Sequence, residues 1–244
     1  MRSAVPAVYA VIGGRRVSRD EVLAWEAARL PVAAAKIGLP VPSGDLARQR
    51  EAFAEAKLAL GPSEIRRRLR RDLRVGDAIA RATTRLSGGR PATSVCELHV
   101  DGGSASEFVR WFMDTARADY AHSMTAAHPD HFLIRALADD RQEVIETTGG
   151  SPLPTRFVVD YADLSSLTTP ADPDADARAA GVALGGGGRP IGGVRHEFRD
   201  LPGGFRARLC VEFPRVTLPR ILSAHRRHLA IEFANWTESA FRVR

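Results

Sequence analysis

The pattern of hydrophobic and polar positions changes character near residue 92. Before that point apolar residues recur with the spacing of helices, and after it they alternate with polar residues as in half-buried strands. We therefore predict an α+β protein in two parts, a helical N-terminal region over residues 1–92 and a second domain over 93–244. Start signals place the first residues of three N-terminal helices at Asp20, Asp45 and Pro62.

The second domain is predicted to contain several strands and to end in a long helix over 218–240. Residues 107–120 predict an amphipathic helix with an aromatic face. Residues 168–193 contain prolines and a glycine run, which predicts a long flexible loop. The strands are expected at 94–100, 143–148, 156–161, 194–199 and 205–213, the last two as an antiparallel hairpin with one buried face.

Composition narrows the class of protein. With 44% hydrophobic and 26% charged residues, and no apolar run near the roughly 18 residues of a spanning helix, the chain is neither disordered nor an integral membrane protein. Two distant cysteines and the lack of a signal-peptide pattern predict a cytoplasmic protein without a membrane partner.

The positive charge does not by itself indicate nucleic-acid binding. The net charge is +6, and it is carried by arginine, because Lys36 and Lys57 are the only lysines. The one local basic block, Arg66–Arg74, is predicted to be a solvated helix face, with contact to phosphate or to an acidic partner as the alternative. We therefore expect no nucleic-acid partner.

The last predicted helix carries polar residues on its apolar face. His225, His228 and Glu232 fall within the apolar stripe, where a buried polar side chain is costly unless it is satisfied. His228 and Glu232 are one helical turn apart, so the pair predicts either a metal site or a hydrogen-bonded core pair. The apolar residues of the stripe are Leu218, Ile221, Leu222, Leu229, Phe233 and Trp236.

Other histidine and glutamate residues with buried character lie upstream of this helix. His128 and His131 crowd one short segment, Glu146 shares a strand face with Val144, and His196 has the buried parity of its strand. A single residue of this kind is usually a satisfied core group. Several in one domain favour a common site.

Five short blocks within residues 94–240 follow one another in a recognisable order. They are Glu107–Phe112, His128-Pro129-Asp130-His131, Glu146–Gly150, Gly193–Asp200 with the following Gly203-Gly204 and Arg206–Arg208, and His228–Asn235. The last block resembles a His-x-x-x-Glu-Met-x-Asn signature, and the second and third resemble His-Pro-x-x-His and Glu-x-x-Gly-Gly motifs. In this order the set resembles the diacetylphloroglucinol and phloretin hydrolases.

The resemblance implies a START-like helix-grip fold, in which a curved antiparallel sheet wraps around a long C-terminal helix and encloses a ligand cavity. It implies a Zn²⁺ ion held by His131, Glu146, His228 and Glu232, with His128 as the alternative first ligand. The implied reaction is hydrolysis of the C–C bond between an acyl group and a phenolic ring, so the substrate would be an aromatic phenolic ketone or a related polyketide. Subunit pairing through the N-terminal region, as in that family, makes a homodimer the expected assembly.

Further roles follow from this chemistry. The leaving ring carbon needs a proton, and His196 is the predicted general acid. Tyr120 and Tyr161 are predicted to hydrogen-bond ring hydroxyls. The predicted substrate pocket is lined by Trp111, Phe112, Phe132 and His225.

Two other functions stay open on the sequence. One is a helix-grip protein that binds aromatic or polyketide ligands without metal or turnover. The other is a nucleic-acid or acidic-partner module that uses the arginine block.

Overall fold

The computed structural model describes residues 6–242, which form an α+β fold built on one large curved antiparallel sheet. The strand order in this part of the chain is β2-β1-β3-β9-β8-β7-β6-β5-β4. The strands are β1 (Ala7–Ile12), β2 (Arg15–Val17), β3 (Pro91–Asp101), β4 (His131–Ala136), β5 (Gln142–Glu146), β6 (Thr155–Asp160), β7 (Ala177–Leu184), β8 (Pro190–Leu201) and β9 (Gly204–Pro214). The helices are α1 (Arg19–Ile37), α2 (Leu46–Ser87), α3 (Ala105–Met113), α4 (Tyr120–Ala126) and α5 (Pro219–Ala240), with a 3-10 turn at Thr148–Gly150.

The C-terminal helix α5 packs against the sheet and against α3. All residues from Leu229 to Thr237 are buried. Phe108 of α3 joins them to the sheet, since its ring lies 6.2 Å from Phe233 of α5 and 5.2 Å from Phe198 of β8 between centroids. This aromatic core fixes the face of α5 that carries the polar residues of the apolar stripe.

The two N-terminal helices are confirmed by the structure. Ser18 and Glu21 form a capping box at the start of α1, and Asp45 caps α2. The two predicted segments 45–60 and 62–82 are the arms of α2, which bends at Gly61. Gly61 has a φ of +72° and precedes Pro62, which lacks the N–H needed to continue the first arm.

Residues 6–18 are not helical, contrary to the predicted helical region 1–92, whose first five residues lie outside the described part of the chain. β1 pairs with β3, so the sheet extends across the expected boundary near residue 92. The sequence gives little indication of these strands, because β1 has only six residues and β2 only three. They are stable as strands because β1 pairs with the longer β3.

Two other predicted elements are wrong. The segment 168–193 is not one loop, because it contains β7 and the start of β8, and its glycine run is the turn between them. Gly181 of β7 packs closely against the backbone of Asp160. A Cβ at this position would lie only 2.5 Å from the Asp160 carbonyl oxygen, so a residue with a side chain would not fit. The predicted helix 107–120 ends at Met113, where the Asp114 side chain accepts from the Ala116 N–H and turns the chain towards α4.

The arginine block is partly structural. Glu143 of β5 is fully buried and accepts hydrogen bonds of 2.6–2.7 Å from Arg66, Arg135 and Arg156. Burial opposes its ionisation, but the three guanidinium groups lower the pKa of Glu143 to about 2. This carboxylate therefore ties the second arm of α2 to the sheet.

Glu143→Gln is expected to lower the free energy of unfolding at pH 7 by about 2–4 kcal/mol, because three arginines lose their common counter-charge. The folded-state pKa lies below the ordinary value of 4.5, so the unfolded chain binds more protons between pH 4.5 and 2. The stabilisation is complete above pH 4.5 and is lost as the pH falls through 2. Urea unfolding across this range should show a steeper pH dependence for the wild type. Arg67→Gln, at an exposed pair, is the control, and equal pH slopes for wild type and Glu143→Gln would contradict the assignment.

No helix within residues 6–242 combines the length and the apolar character needed to cross a membrane.

Candidate metal centre and cavity

Two histidines and two glutamates from three elements converge at one point. His131 begins β4 and Glu146 ends β5, and the two are direct partners in the antiparallel register. His228 and Glu232 stand one turn apart on α5. His131 Nε2 lies 3.2 Å from His228 Nε2, 3.0 Å from Glu232 Oε2 and 3.6 Å from Glu146 Oε2. His228 Nε2 lies 3.7 Å from Glu146 Oε2 and 3.6 Å from Glu232 Oε2.

Neighbouring groups orient these side chains. His131 Nδ1 lies 3.0 Å from the Met124 carbonyl oxygen, which can only accept, so Nδ1 carries the proton and Nε2 presents a lone pair to the cluster. The Thr148 hydroxyl donates to Glu146 Oε1 at 3.0 Å. Lys57, itself buried, donates to the His131 carbonyl oxygen at 2.7 Å and holds the start of β4.

The cluster is buried and lacks a compensating positive charge. No arginine or lysine within residues 6–242 forms a salt bridge to Glu146 or Glu232. Burial, offset in part by His228, raises the pKa of Glu146 to about 7, and burial also raises the pKa of Glu232. Burial lowers the pKa of His131. Each shift favours the uncharged form, because burial removes the water that would solvate the charge.

His128, the alternative first ligand, lies behind this cluster. Its ring stacks on His228 with centroids 3.8 Å apart, and its Nδ1 accepts from the Asp130 N–H at 3.0 Å. His128, Asp130 and His228 form a second group with metal-ligating atoms close together. The Asp130 carboxylate is, however, already bound by Arg29 at 2.7 and 2.8 Å and by the Thr147 hydroxyl. The geometry therefore favours His131.

A cavity of about 230 Å³ lies beside the cluster and includes Glu146 and Glu232 in its wall. Most of the wall is apolar. The predicted residues His196, His225, Tyr161 and Phe112 also line it. Burial lowers the pKa of His196 to about 3 and that of His225 well below its usual range, so both imidazoles are neutral at pH 7. Neither Nδ1 atom has a hydrogen-bond partner within the described chain.

Three of the residues predicted to contact the substrate do not line this cavity. Phe132 points to the opposite side of the sheet, where it packs with α1 and α2, since neighbouring residues of a strand face opposite sides. Trp111 lies outside the wall on α3, where the Arg117 guanidinium stacks 4.0 Å from its ring centroid. Tyr120 is buried behind Gln142, whose amide donates to the Tyr120 hydroxyl at 2.6 Å.

Several residues of the site were not predicted. Gln142 lines the cavity, accepts from the Tyr161 hydroxyl at 3.3 Å and so joins Tyr161 to Tyr120. The sequence could have indicated Gln142 as a site residue, because residues of a strand alternate between its faces and Gln142 shares one face of β5 with Val144 and Glu146. Lys57 acts through a hydrogen bond to a distant segment, for which the sequence has no periodic signal, and Thr148 acts on Glu146, two residues before it.

No protein-family model matches the sequence, and comparison with curated proteins finds no significant match. The chemistry of the cluster and of the cavity is therefore the basis for assigning a function.

Proposed function

We propose that this protein is a zinc-dependent hydrolase that cleaves the C–C bond between an acyl group and a phenolic ring. The observation that carries the proposal is the convergence of His131, Glu146, His228 and Glu232 at the edge of a largely apolar cavity, which Glu146 and Glu232 line. The curved sheet packed on α5 is compatible with the helix-grip fold that the resemblance to diacetylphloroglucinol and phloretin hydrolases implies. Zinc, the fold family and the substrate class are parts of one proposal.

The residues fit a zinc ion. Imidazole nitrogen and carboxylate oxygen are ordinary zinc ligands, and bonds of about 2.0–2.1 Å at tetrahedral angles place ligand atoms roughly 3.3–3.4 Å apart. The five distances that involve His131 Nε2 or His228 Nε2, 3.0–3.7 Å, bracket that value. A divalent cation also neutralises the two buried carboxylates, which have no other positive partner in the described chain. His131 would bind through Nε2, the nitrogen that its hydrogen bond to Met124 leaves unprotonated.

The proposed reaction consumes one water. The bond between the carbonyl carbon and the ring carbon breaks, the acyl carbon gains the hydroxyl group, and the ring carbon gains a proton. The products are a carboxylic acid and a free phenol. A bound Zn²⁺ supplies Lewis-acid polarisation for this step.

In the proposed reaction, residues of the cavity bind the phenolic ring and transfer the proton to its leaving carbon. Phe112, Phe233 and Trp236 provide aromatic wall for a planar ring, and the joined Tyr161 and Gln142 provide hydrogen-bonding groups for a phenolic hydroxyl. His196 is neutral in the free protein. The negative charge that develops on the leaving ring raises the proton affinity of a nearby imidazole, so His196 is suited to carry the proton to the ring carbon at that stage.

Incubation of the purified protein with a panel of acylated phloroglucinols and other acylated phenols tests the proposal. We expect release of the carboxylic acid and the free phenol in equal amounts, and loss of activity on chelation that zinc restores. Binding of an aromatic ligand without products, in protein that contains no zinc, would instead favour the ligand-binding protein.

Thr148→Val is expected to weaken zinc binding about tenfold to a hundredfold. The substitution keeps the side-chain volume but removes the hydrogen bond that orients Glu146. Competition against a fluorescent zinc chelator measures the affinity. Thr83→Val, which removes a hydroxyl bonded only within α2, is the matched control and should not change it. Unchanged affinity in Thr148→Val would show that Glu146 is not held for metal binding.

A further inference from the structure

The cavity opens at a surface that joins the second arm of α2 to the linker between β9 and α5. Ile79 lines the cavity and is also 49% exposed, so the opening lies beside it. Ala80 and Thr83 of α2 and Pro214 and Thr217 of the linker line the same end. The Val216 N–H donates to the Ser87 hydroxyl at 3.3 Å, which holds the linker against the end of α2.

Large aliphatic side chains of the same two segments face solvent. On α2, Val75 and Ile79 are 49% exposed and Leu86 is 76% exposed. With the exposed Ala82 they stand at positions i, i+4, i+7 and i+11, which is one continuous stripe of a helix. Val216 and Leu218 of the linker add two more exposed side chains. We call Val75, Ile79, Leu86, Val216 and Leu218 the aliphatic rim.

Arginines without carboxylate partners flank the aliphatic rim. On α2 they form a second stripe beside the aliphatic one, and Arg215 and Arg220 lie in and just after the linker. Within residues 6–242 none of these side chains has an ion pair, whereas the acidic residues of the same arm are all paired: Glu64 with Arg67 and Arg68, Asp72 with Lys36, and Asp77 with Arg81. Residues 214–227 contain no acidic residue. The α2 members of the set are Arg70, Arg71, Arg74 and Arg85.

We infer that the aliphatic rim docks on an anionic phospholipid bilayer, so that the cavity opens towards lipid. A helix face with exposed aliphatic residues beside arginines is the pattern of a peripheral membrane surface, where acyl chains receive the apolar side chains and lipid phosphates receive the arginines. A second copy of this chain fits less well, because a two-fold axis would place the arginine stripe of α2 against itself. The inference revises the expectation, drawn from the sequence, of no membrane partner.

Docking in this position would deliver apolar ligands that partition into lipid. The cavity wall is apolar from the opening inwards, through Val159, Phe157 and Val144, to the metal cluster. Docking requires neither a bound metal nor hydrolysis. A failure of the proposed activity would therefore not refute docking, and a failure of docking would not refute the activity.

Vesicle flotation of the full chain tests the inference, with vesicles of phosphatidylcholine alone and of phosphatidylcholine mixed with phosphatidylglycerol. We expect binding to the anionic vesicles only, weakened in 0.5 M salt. Leu86→Ser and Leu218→Ser should each reduce binding about tenfold, and Arg85→Ala and Arg215→Ala about fivefold. Leu201→Ser is the matched control, because Leu201 is 41% exposed near the opposite end of the β8–β9 hairpin.

Three outcomes would overturn the inference. The first is no flotation with anionic vesicles at low salt. The second is flotation that the arginine variants weaken while Leu86→Ser and Leu218→Ser leave it unchanged, which would mark a general polyanion contact. The third is a dimer in light scattering that Leu86→Ser converts to a monomer, which would make the rim a contact between copies of the chain. All variants are exposed, and thermal unfolding confirms that each remains folded.

Discussion

His228→Ala is expected to abolish zinc binding. Wild-type protein should carry about one zinc per chain, and the variant less than about a tenth of that, because the remaining groups cannot complete a four-ligand site. The Nε2 atoms of His131 and His228 each lie within 3.7 Å of the other three ligand atoms, so the loss of His228 opens the centre of the cluster. Mass spectrometry of metal content on protein purified without added metal or chelator is the measurement.

Two further variants make this result specific. Glu232→Gln retains the shape of the side chain and is expected to weaken zinc binding strongly. It therefore tests the zinc site even if His228→Ala fails to fold. His122→Ala removes a partly exposed histidine that pairs with Glu51 and should leave the zinc content unchanged. Stoichiometric zinc in both His228→Ala and Glu232→Gln, or its absence from the wild type, would refute the proposed site.

His196→Gln is expected to lower kcat for acylphenol hydrolysis by about 10²–10⁴ while zinc content stays at the wild-type level. Glutamine fills similar space and can donate a hydrogen bond, but it cannot carry a proton to the ring carbon. His196 packs edge-on against Phe233 at 4.8 Å between ring centroids and forms no ion pair with the four-residue cluster, so its replacement separates proton transfer from metal binding.

The readouts are kcat and KM for whichever acylated phenol the wild type cleaves, together with metal content. His99→Gln is the matched control, since His99 lies on β3 against Tyr9 and outside the cavity. A kcat within about threefold of wild type would remove His196 from the proton-transfer role. A rise in KM with unchanged kcat would reduce its role to binding.

The fold was predictable where local pattern was strong. The capped helices α1 and α2, the alternating hairpin of β8 and β9 and the amphipathic α5 each carry a signal within one segment. The short strands β1, β2 and β4 do not, because their stability comes from neighbours distant in the chain. Strand β7 lies in the segment predicted to be a loop, because its four alanines and one glycine leave little apolar pattern.

The four proposed zinc ligands also divide into those that the sequence indicated within one segment and those that depend on tertiary structure. His228 and Glu232 were recognisable because one helix turn separates two polar residues on an apolar stripe. The ring of His131 and the carboxylate of Glu146 meet only because β4 and β5 pair in the register that places these two residues opposite each other. The choice between His128 and His131 was open on the sequence, and it depended on which imidazole reaches Glu146 and Glu232 as well as His228.

By itself the sequence determined the α+β class, the helices and hairpins with strong periodicity, and the presence of polar side chains on an apolar helix face. Periodicity depends only on neighbouring residues, which is why these features could be read from one segment at a time. The tertiary structure alone decided that two of those side chains meet His131 and Glu146 of the sheet, that Phe132 and Trp111 lie outside the cavity, and that an aliphatic rim flanked by arginines lies beside its opening. Those features depend on strand register and on the packing of α2 and α5 against the sheet, which bring together residues far apart in the chain.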